Sequence, residues 1–238
     1  MKGRTIAFVV ASFIMAAVFV RLGVWQVARL HERRRHNVFL EHRLNAPAVP
    51  LAGLAGAPDE LRYRRAIVSG RADYDHEIVY ASRTREGSPG VYLLTPVVPS
   101  AGDTAILVAR GWVYAPDGAT VDAARWREPG SLTFEGYLDE LPPTSAVSDA
   151  MVGRPMTVTR LDRSRIEKRI GRPVRAVYLL ATIDSRSRSG ETPARFTLPV
   201  MDDGPHRSYA FQWFSFAAIA VVGAGIVIRK EQTVDGRR

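Results

Sequence analysis

Two long apolar runs lie near the two ends of this chain. They occupy residues 6–20, with a continuation through 22–25, and residues 210–228. Each run is close to the roughly 20 residues that a helix needs to cross the hydrocarbon core of a bilayer. The second run contains no charged residue, and a charge at mid-membrane costs a few kcal/mol. The sequence therefore predicts two transmembrane helices, with one domain between them and both termini on the same side of the membrane.

Each run also has an alternative interpretation. Lys2 and Arg4 precede the first run as they would in a cleaved signal peptide, but no small-x-small cleavage site follows. The alternative for the second run is a buried core helix, but its length and its end at Arg229-Lys230 favour a membrane span. The basic tails favour cytoplasmic termini, and the arginines at 33–35 favour the reverse. We expect cytoplasmic termini and an extracytoplasmic domain, because long loops cross membranes largely regardless of charge.

The composition limits the classes of function. The net charge is +9, and 30 of the 33 basic residues are arginines, which by itself allows nucleic-acid binding. No zinc-finger, RNA-recognition or helix-turn-helix signature is present, and the arginines are scattered among acids, so we expect no nucleic-acid partner. The chain has no cysteine, which excludes disulfides and thiolate metal sites.

The region between the two runs has the pattern of a β-rich domain. Short alternating or β-branched segments are separated by turn residues, which predicts an antiparallel sheet or a small barrel. The predicted strands are 63–72, 77–82, 91–98, 105–113, 132–138 and 174–183. A single short helix is predicted at 162–170, because Gly171 and Pro173 stop it, and residues 26–43 are predicted to continue the first span as a basic helix.

These patterns together predict an α+β membrane protein with two transmembrane helices flanking a β-rich extracytoplasmic domain. The predicted order is a transmembrane helix at 5–25, a juxtamembrane helix and linker at 26–58, the domain at 59–204, a transmembrane helix at 208–228 and a cytoplasmic tail at 229–238.

The search for a catalytic site is mostly negative. The sequence has no glycine-rich phosphate loop, no Gly-x-Ser-x-Gly elbow and no His-Glu-x-x-His. The adjacent carboxylates Asp139-Glu140 and Asp202-Asp203 are more typical of loops than of catalytic pairs. We interpret four of the five histidines as solvated surface residues: His31, His36, His42 and His76.

The fifth histidine, His206, lies directly before the second span. A helix that begins near Pro205 places His206, Tyr209 and Trp213 on one face. An imidazole at the membrane surface, with aromatic rings one and two turns below it, can ligate a haem iron while the rings pack against the macrocycle. The alternative is an aromatic belt at the membrane interface that happens to include a histidine.

The end of the first span carries a matching pair. Trp25 and Arg29 lie at the membrane boundary, four residues apart, where a cation–π contact is possible. The alternative is an interfacial tryptophan beside an arginine that extends toward water. Small residues on both spans allow close helix packing, which would bring this pair near His206.

The motifs along the chain resemble the Surfeit locus protein 1 family, whose members are assembly factors for haem-copper terminal oxidases. Similar segments occur in the same order across nearly the whole chain: Leu22-Gly-x-Trp-Gln-x-x-Arg29, Tyr63-Arg64, Val68-Ser-Gly70, Gly90-Val-Tyr-Leu-Leu-Thr-Pro96, Ile106-Leu-Val-Ala-Arg-Gly-Trp112, His206-x-x-Tyr209 and Gln212-Trp213-Phe214. The chain departs from the family at Arg65, where proline is frequent, and at 202–205, where asparagine is common shortly before the histidine.

The resemblance implies a non-enzymatic role in building the oxidase catalytic subunit, with haem a received or positioned by the protein. It implies a periplasmic or equivalent location for the domain, and thus a plasma-membrane protein. His206 matches a family histidine linked to haem, so the expected haem site is His206 as iron ligand, with Tyr209, Trp213 and Trp25 beside the macrocycle and Arg29 or Arg207 on the propionates. The expected partners are the catalytic subunit, the haem a synthesis enzyme and the lipid bilayer. The alternatives are a cofactor-free membrane scaffold and, as a third class, an extracytoplasmic hydrolase.

Overall fold

The structure is a computed structural model that describes residues 3–100, 102–144, 156–182 and 190–235. The chain folds into two compact units. One contains the chain ends, Met1–Glu41 and Val200–Arg238, and the other contains His42–Pro199. The helices are α1 (Gly3–Asn45), α2 (Pro58–Leu61), α3 (Arg163–Ile170) and α4 (His206–Asp235). The strands are β1 (Val49–Pro50), β2 (Arg65–Ala72), β3 (Ile78–Arg85), β4 (Ser88–Val98), β5 (Ala105–Tyr114), β6 (Leu132–Glu140), β7 (Met156–Val158) and β8 (Val174–Ala181).

Helices α1 and α4 are both long and apolar enough to cross a membrane. Their apolar side chains point outward: Ile14 is 61% exposed and Ile219 is 67% exposed. Such a surface is suited to lipid and not to water. Helix α1 has 43 residues, or about 65 Å at 1.5 Å per residue, roughly twice the bilayer core. The predicted basic extension of the first span is thus helical, and the prediction of two apolar helices around a β-rich region is confirmed.

The two long helices run antiparallel and contact each other through faces with a repeat of three and four residues. On α1 the buried residues of this face include Ala16, Gly23, Gln26 and Leu30, and on α4 they are Ala210, Ala217 and Ala224. The ring of Phe19 stacks on that of Trp213, with centroids 5.7 Å apart. Gly23 makes room for Phe214, because a Cβ there would lie 2.7 Å from its ring. Small residues thus let large rings fill the contact between the helices.

The second unit is built on a closed five-stranded barrel. Its strands pair in the order β2–β6–β8–β5–β4, and β4 pairs again with β2 to close the ring. All neighbours are antiparallel except β5 and β8, which are parallel. Beyond the ring, β1 pairs with β2, β3 pairs with β4, and β7 pairs with β3. Closure of the ring removes most free sheet edges. The prediction of a small barrel is therefore confirmed.

Alternation along the strands separates the barrel core from its outer face. In β6, the side chains of Leu132, Phe134 and Leu138 are buried in the core cluster. Between them Thr133 points outward and shares a hydrogen bond of 2.9 Å with Ser69 of β2. This period of two is the signal that makes strands recognisable in sequence.

Gly136 in β6 is required by the close approach of β8. A Cβ at this position would overlap the backbone carbonyl of Leu180, so a larger residue would push the two strands apart.

The short helix α3 was predictable because its two ends carry local sequence signals. Asp162 caps its start by accepting a hydrogen bond of 3.0 Å from the backbone N–H of Arg165. Gly171 ends it in the left-handed conformation, with φ of 74°. By contrast, the three-residue strand β7 was not predicted, because so short a segment has no measurable periodicity.

A buried ion-pair network surrounds Arg110 of β5. The Arg110 side chain has no solvent exposure, and its Nη2 donates to Glu77 Oε1 at 2.5 Å. It also contacts Glu128 at 3.0 Å through Nη1, and Arg195 contacts the other oxygen of Glu128 at 2.6 Å. Thr95 links the network by donating to Glu77 at 2.6 Å. The network thus joins β5 to four other segments of the domain, around Glu77, Thr95, Glu128 and Arg195.

The charges in this network compensate one another. Burial disfavours the charged form of Arg110, but the neighbouring carboxylates, Glu77 first, outweigh it and hold its pKa above the ordinary value. A buried ion pair contributes little net stability, whereas removing one partner leaves an uncompensated buried charge.

We predict that Arg110→Met destabilises the protein by about 3–5 kcal/mol, because Glu77 would remain buried without its cation. Urea unfolding of the purified full-length protein, followed by tryptophan fluorescence, measures the change. The matched control is Arg62→Gln, which removes the half-exposed Arg62–Asp139 pair (2.7 Å) and should cost less than about 1 kcal/mol. The double variant Arg110→Met/Glu77→Leu should recover part of the loss. Equal effects of Arg110→Met and Arg62→Gln would contradict this assignment.

Candidate functional site

His206, the first residue of α4, forms a hydrogen bond with a buried amide of α1. Its Nδ1 lies 2.8 Å from Oε1 of Gln26, and Gln26 is only 8% exposed. The helix begins here because Pro205 supplies the first backbone acceptor, 3.1 Å from the N–H of Tyr209. The imidazole is therefore oriented by a polar residue at the contact between the two helices.

The hydrogen bond with Gln26 determines which imidazole nitrogen can bind a ligand. An amide oxygen only accepts, so Nδ1 of His206 carries the proton and the lone pair is on Nε2. Metal-ligating histidines commonly donate their other N–H to an oxygen in this way, which fixes the ring and increases its basicity. The arrangement matches that of a histidine ready to bind a metal through Nε2.

Gly204 keeps space beside Nε2 of His206. Its φ is +64°, in the left-handed region, and a Cβ built on it would lie 3.8 Å from Nε2. Glycine is the residue best suited to this backbone conformation, and any side chain here would occupy space next to the lone pair.

A cavity of about 360 Å³ lies beside His206. The rest of its lining comes from α1: Arg29, Glu32, Arg33 and His36. These residues are three, four and seven apart, so they share one face of the helix. The cavity combines one oriented imidazole with two guanidinium groups, a set suited to an iron atom and to carboxylates.

Ion pairs hold the segment before α4 against α1. Arg34 contacts Asp203 at 2.6 Å, and Arg33 contacts Asp202 at 3.4 Å. Asn37 donates to the backbone carbonyl of Asp202 at 2.7 Å. The hydrogen bond from Arg34 lowers the pKa of Asp203, so this carboxylate stays charged at neutral pH. The pair Asp202-Asp203 is therefore an attachment to α1.

The predicted site residues are only partly brought together. His206 and Arg29 line the same cavity. Trp213 packs against Phe19, whereas Tyr209 and Trp25 are 45% and 53% exposed. These three residues do not line the cavity.

The predicted cation–π contact of Trp25 is replaced by an ion pair. Arg29 contacts Glu32 at 2.6 Å, and within the described ranges no cation–π contact involves Trp25. A full charge one turn away attracts the guanidinium more strongly than an exposed ring does.

Sequence reasoning missed two contributors to the site. Gln26 enters the sequence analysis only as part of the first-span motif and was given no role, although a polar residue in a repeat of small and apolar positions is a detectable signal. His36 was interpreted as a solvated surface residue, and it is exposed but lines the cavity. Nothing in the local sequence distinguishes it from His31.

The donor set fits a haem better than a free metal ion. Among the residues that the structure describes, no group of three or more histidine, aspartate or glutamate side chains is placed to hold a metal. A single imidazole suffices for a haem, because the macrocycle supplies the other four ligands. The cavity is near the lower end of the roughly 300–1,000 Å³ typical of ligand pockets. It is therefore suited to the edge of a macrocycle, with the rest exposed.

Comparison with known proteins gives consistent matches. The SURF1 family pattern matches residues 13–218. An uncharacterized SURF1-like protein of Mycobacterium tuberculosis is 28% identical over 226 residues, which cover 92% of this chain and 81% of that protein. The cytochrome oxidase assembly protein SHY1 of Saccharomyces cerevisiae is 30% identical over 112 residues, 44% of this chain and 28% of that protein. Surfeit locus protein 1 of Arabidopsis thaliana is 31% identical over 113 residues, 42% of this chain and 32% of that protein.

The family match extends from within α1, across the β-rich domain and into α4. It covers all the residues placed around His206, and it confirms the resemblance inferred from the motifs. This chain belongs to the SURF1 family.

Proposed function

We propose that this protein is an assembly factor for a haem-copper terminal oxidase and that it holds haem a at His206 while the catalytic subunit is built. Membership of the SURF1 family and the similarity to a yeast cytochrome oxidase assembly protein support the oxidase-assembly role. The haem a step rests on the geometry of the site. The role is non-enzymatic, and its partners are the catalytic subunit and the haem a synthesis enzyme.

The observation that carries the haem proposal is the hydrogen bond between His206 and Gln26. It orients an imidazole whose Nε2 has no hydrogen-bond partner among the described residues, at the end of an apolar helix pair and beside two arginines. Haem a is an amphiphile whose apolar ring suits lipid and whose propionates suit arginine. At the site, the apolar helix surface and the arginines lie close together, so the ring and the propionates would each meet a suitable environment.

Most of the predicted residues then have a role in the proposal, and Arg33 takes the place predicted for Arg207, which does not line the cavity. His206 would bind the iron, and Arg29 and Arg33 are placed to pair with propionates. Tyr209 and Trp25, being half-exposed, are free to lie along the macrocycle, whereas Trp213 would support the site by packing on Phe19. Bound haem would supply the iron and the Soret absorption, and the protein would supply position and charge.

We predict that the purified protein, produced together with haem a synthesis, shows a haem absorption band that His206→Ala abolishes. Gln26→Leu should weaken haem affinity by about 10–100-fold, because loss of the partner of a metal-ligating histidine has effects of this size. Absorption spectra and haem titrations of the full chain in nanodiscs measure both effects. His31→Ala is the matched control, an exposed imidazole on α1 outside the cavity, and should leave the band unchanged.

An undiminished band in His206→Ala would refute the ligand assignment. Complete absence of haem in every preparation, together with cross-linking to the oxidase subunit, would favour the alternative of a cofactor-free scaffold. Circular dichroism of the variants separates loss of haem from loss of the helix.

A second prediction concerns Glu32. Its carboxylate already occupies Arg29 at 2.6 Å, with both side chains more than half exposed, so it competes with a propionate for the same guanidinium. Glu32→Gln should therefore increase haem affinity by about two- to fivefold, the size expected for an exposed ion pair. Haem titration at low and high salt measures it. The control is Glu41→Gln on the same helix, which does not line the cavity; weaker binding by Glu32→Gln would contradict the competition.

We further propose that the domain is extracytoplasmic and that the termini are in the cytoplasm of a plasma-membrane protein. The basic residues after the second span support this orientation. The chain has no cysteine, so a single introduced thiol can report its own location.

We predict that Arg125→Cys, at an exposed domain position, is labelled by a membrane-impermeant maleimide on intact cells. Thr233→Cys, near the end of α4, should react only after the membrane is opened. Labelling of Thr233→Cys but not Arg125→Cys in intact cells would reverse the orientation. Denatured samples of both variants control for the reactivity of the thiols.

A further inference from the structure

A cluster of aromatic side chains lies on the outer face of the barrel. We call it the tyrosine groove and define it by Tyr80 of β3, Tyr92 of β4, Tyr137 of β6, Tyr178 of β8 and Phe196. Each tyrosine alternates with neighbours that belong to the buried core, such as Val177 and Leu179 beside Tyr178. The groove therefore lies on the face opposite the core.

Three rings of the groove, those of Tyr80, Tyr92 and Phe196, contact one another at fixed geometry. Tyr80 and Tyr92 face each other across the β3–β4 pair, with ring centroids 6.2 Å apart and an edge-to-face angle of 71°. Phe196 contacts Tyr92 at 4.7 Å and 80°. Such a preformed surface loses little conformational entropy when something binds to it.

The groove leads into a cavity of about 380 Å³. Tyr80 and Tyr178 line it together with Glu140, Pro142, Thr144, Arg160 and Leu161. Tyr80, Tyr92 and Tyr178 are half-buried, and Tyr137 is 8% exposed. A bound partner can therefore cover the half-buried rings of Tyr80, Tyr92 and Tyr178, whereas Tyr137 is already buried.

The groove also offers hydrogen-bond donors. Within the described part of the chain, no hydrogen bond joins the hydroxyls of Tyr80, Tyr92 or Tyr137 to another group. Burial, reinforced by Asp139, raises the pKa of Tyr137 to about 12, and burial raises the pKa of Tyr178 as well. The hydroxyls of Tyr137 and Tyr178 thus stay protonated well above neutral pH. A phenol hydroxyl without a partner can donate to a carbonyl oxygen.

The charge around the groove is positive. The Arg83 guanidinium lies 4.0 Å from the centroid of the Tyr80 ring, and Arg160 is exposed at the cavity. Of the described residues that line the cavity, Glu140 alone carries a carboxylate, and nearby Asp139 is neutralised by Arg62 at 2.7 Å. Among the described residues, the arginines near the groove outnumber the carboxylates that no arginine neutralises, which favours an anionic partner.

We propose that the tyrosine groove is a docking site for an extended, acidic segment of a partner polypeptide. Tyrosine and arginine are the side chains most enriched where proteins bind one another. Aromatic rings pack against an extended chain, free phenol hydroxyls donate to its backbone carbonyls, and Arg83 and Arg160 pair with its carboxylates. If the proposed function is correct, the segment belongs to an extramembrane part of the oxidase. The identity of this partner rests on the proposed function, whereas the docking chemistry of the groove is independent of it.

The test uses the full-length protein in nanodiscs and a fluorescein-labelled peptide of alternating glutamate and proline, which is extended and acidic. We expect saturable binding by fluorescence anisotropy that weakens about tenfold for each of Arg83→Glu and Arg160→Glu and declines with salt. Tyr80→Phe/Tyr92→Phe, which removes only two hydroxyls, should weaken binding about fivefold or more. Arg125→Glu, an exposed charge reversal outside the groove, is the matched control and should have little effect.

Equal binding of a lysine–proline peptide, no binding at all, or equal loss in Arg125→Glu would overturn the proposal. A second set of peptides, drawn from the extramembrane segments of the oxidase subunits, separates this inference from the proposed function. Binding of the glutamate–proline peptide without any oxidase peptide keeps the groove and counts against the oxidase as its partner. No peptide binding in a protein that carries a His206-dependent haem band refutes the groove alone.

Discussion

Gln26 is a buried amide in an otherwise apolar contact between two helices, and such a group is costly unless it is hydrogen-bonded. His206 satisfies it. This one interaction has several consequences, because it sets the register of α4 against α1, fixes the proton on Nδ1 and directs Nε2 away from the contact. The ion pairs of Arg33 and Arg34 with Asp202 and Asp203 then hold the preceding segment in the same register. The candidate site is therefore a by-product of how the helix pair satisfies a polar group.

The domain also contains a buried polar side chain that needs partners, in this case a charged one. Arg110 is fully buried beside an apolar core, and it is neutralised by Glu77 and Glu128 from segments distant in the chain. An apolar residue of similar size would pack there without needing partners, so the ion pairs contribute more to specificity than to net stability. They define where the segments around β5 must lie. Both units thus use a buried polar side chain to select one arrangement among many that would bury similar apolar area.

Helices and strands could be predicted where buried and exposed side chains repeat at a regular spacing along the chain or where residues mark the ends of a helix. Alternation revealed strands such as β6, and Asp162 with Gly171 delimited α3, because these signals are local. The contacts of the site are not local. Arg34 meets Asp203 across 169 positions, and Asp202-Asp203 alone resembles any acidic loop. Gln26 and His36 have roles only after α1 and α4 are placed side by side. The position of His206 before the second span and its helical spacing to the aromatic residues identified it, and the family resemblance supported it. Neither its hydrogen-bond partner nor the cavity could be predicted from the sequence.

In the proposed haem role, the geometry of the His206 cavity favours weak binding. Among the described residues that line the cavity, His206 alone has a lone pair directed by a hydrogen-bond partner. Stable haem proteins, by contrast, enclose the macrocycle. Arg29 and Arg33 are each already paired, with Glu32 and Asp202, so binding a propionate replaces an existing contact and gains only the difference between the two. In that proposed role the protein must also release the haem that it binds. A small open cavity, a single axial ligand and arginines with internal competitors all lower the free energy needed for that release.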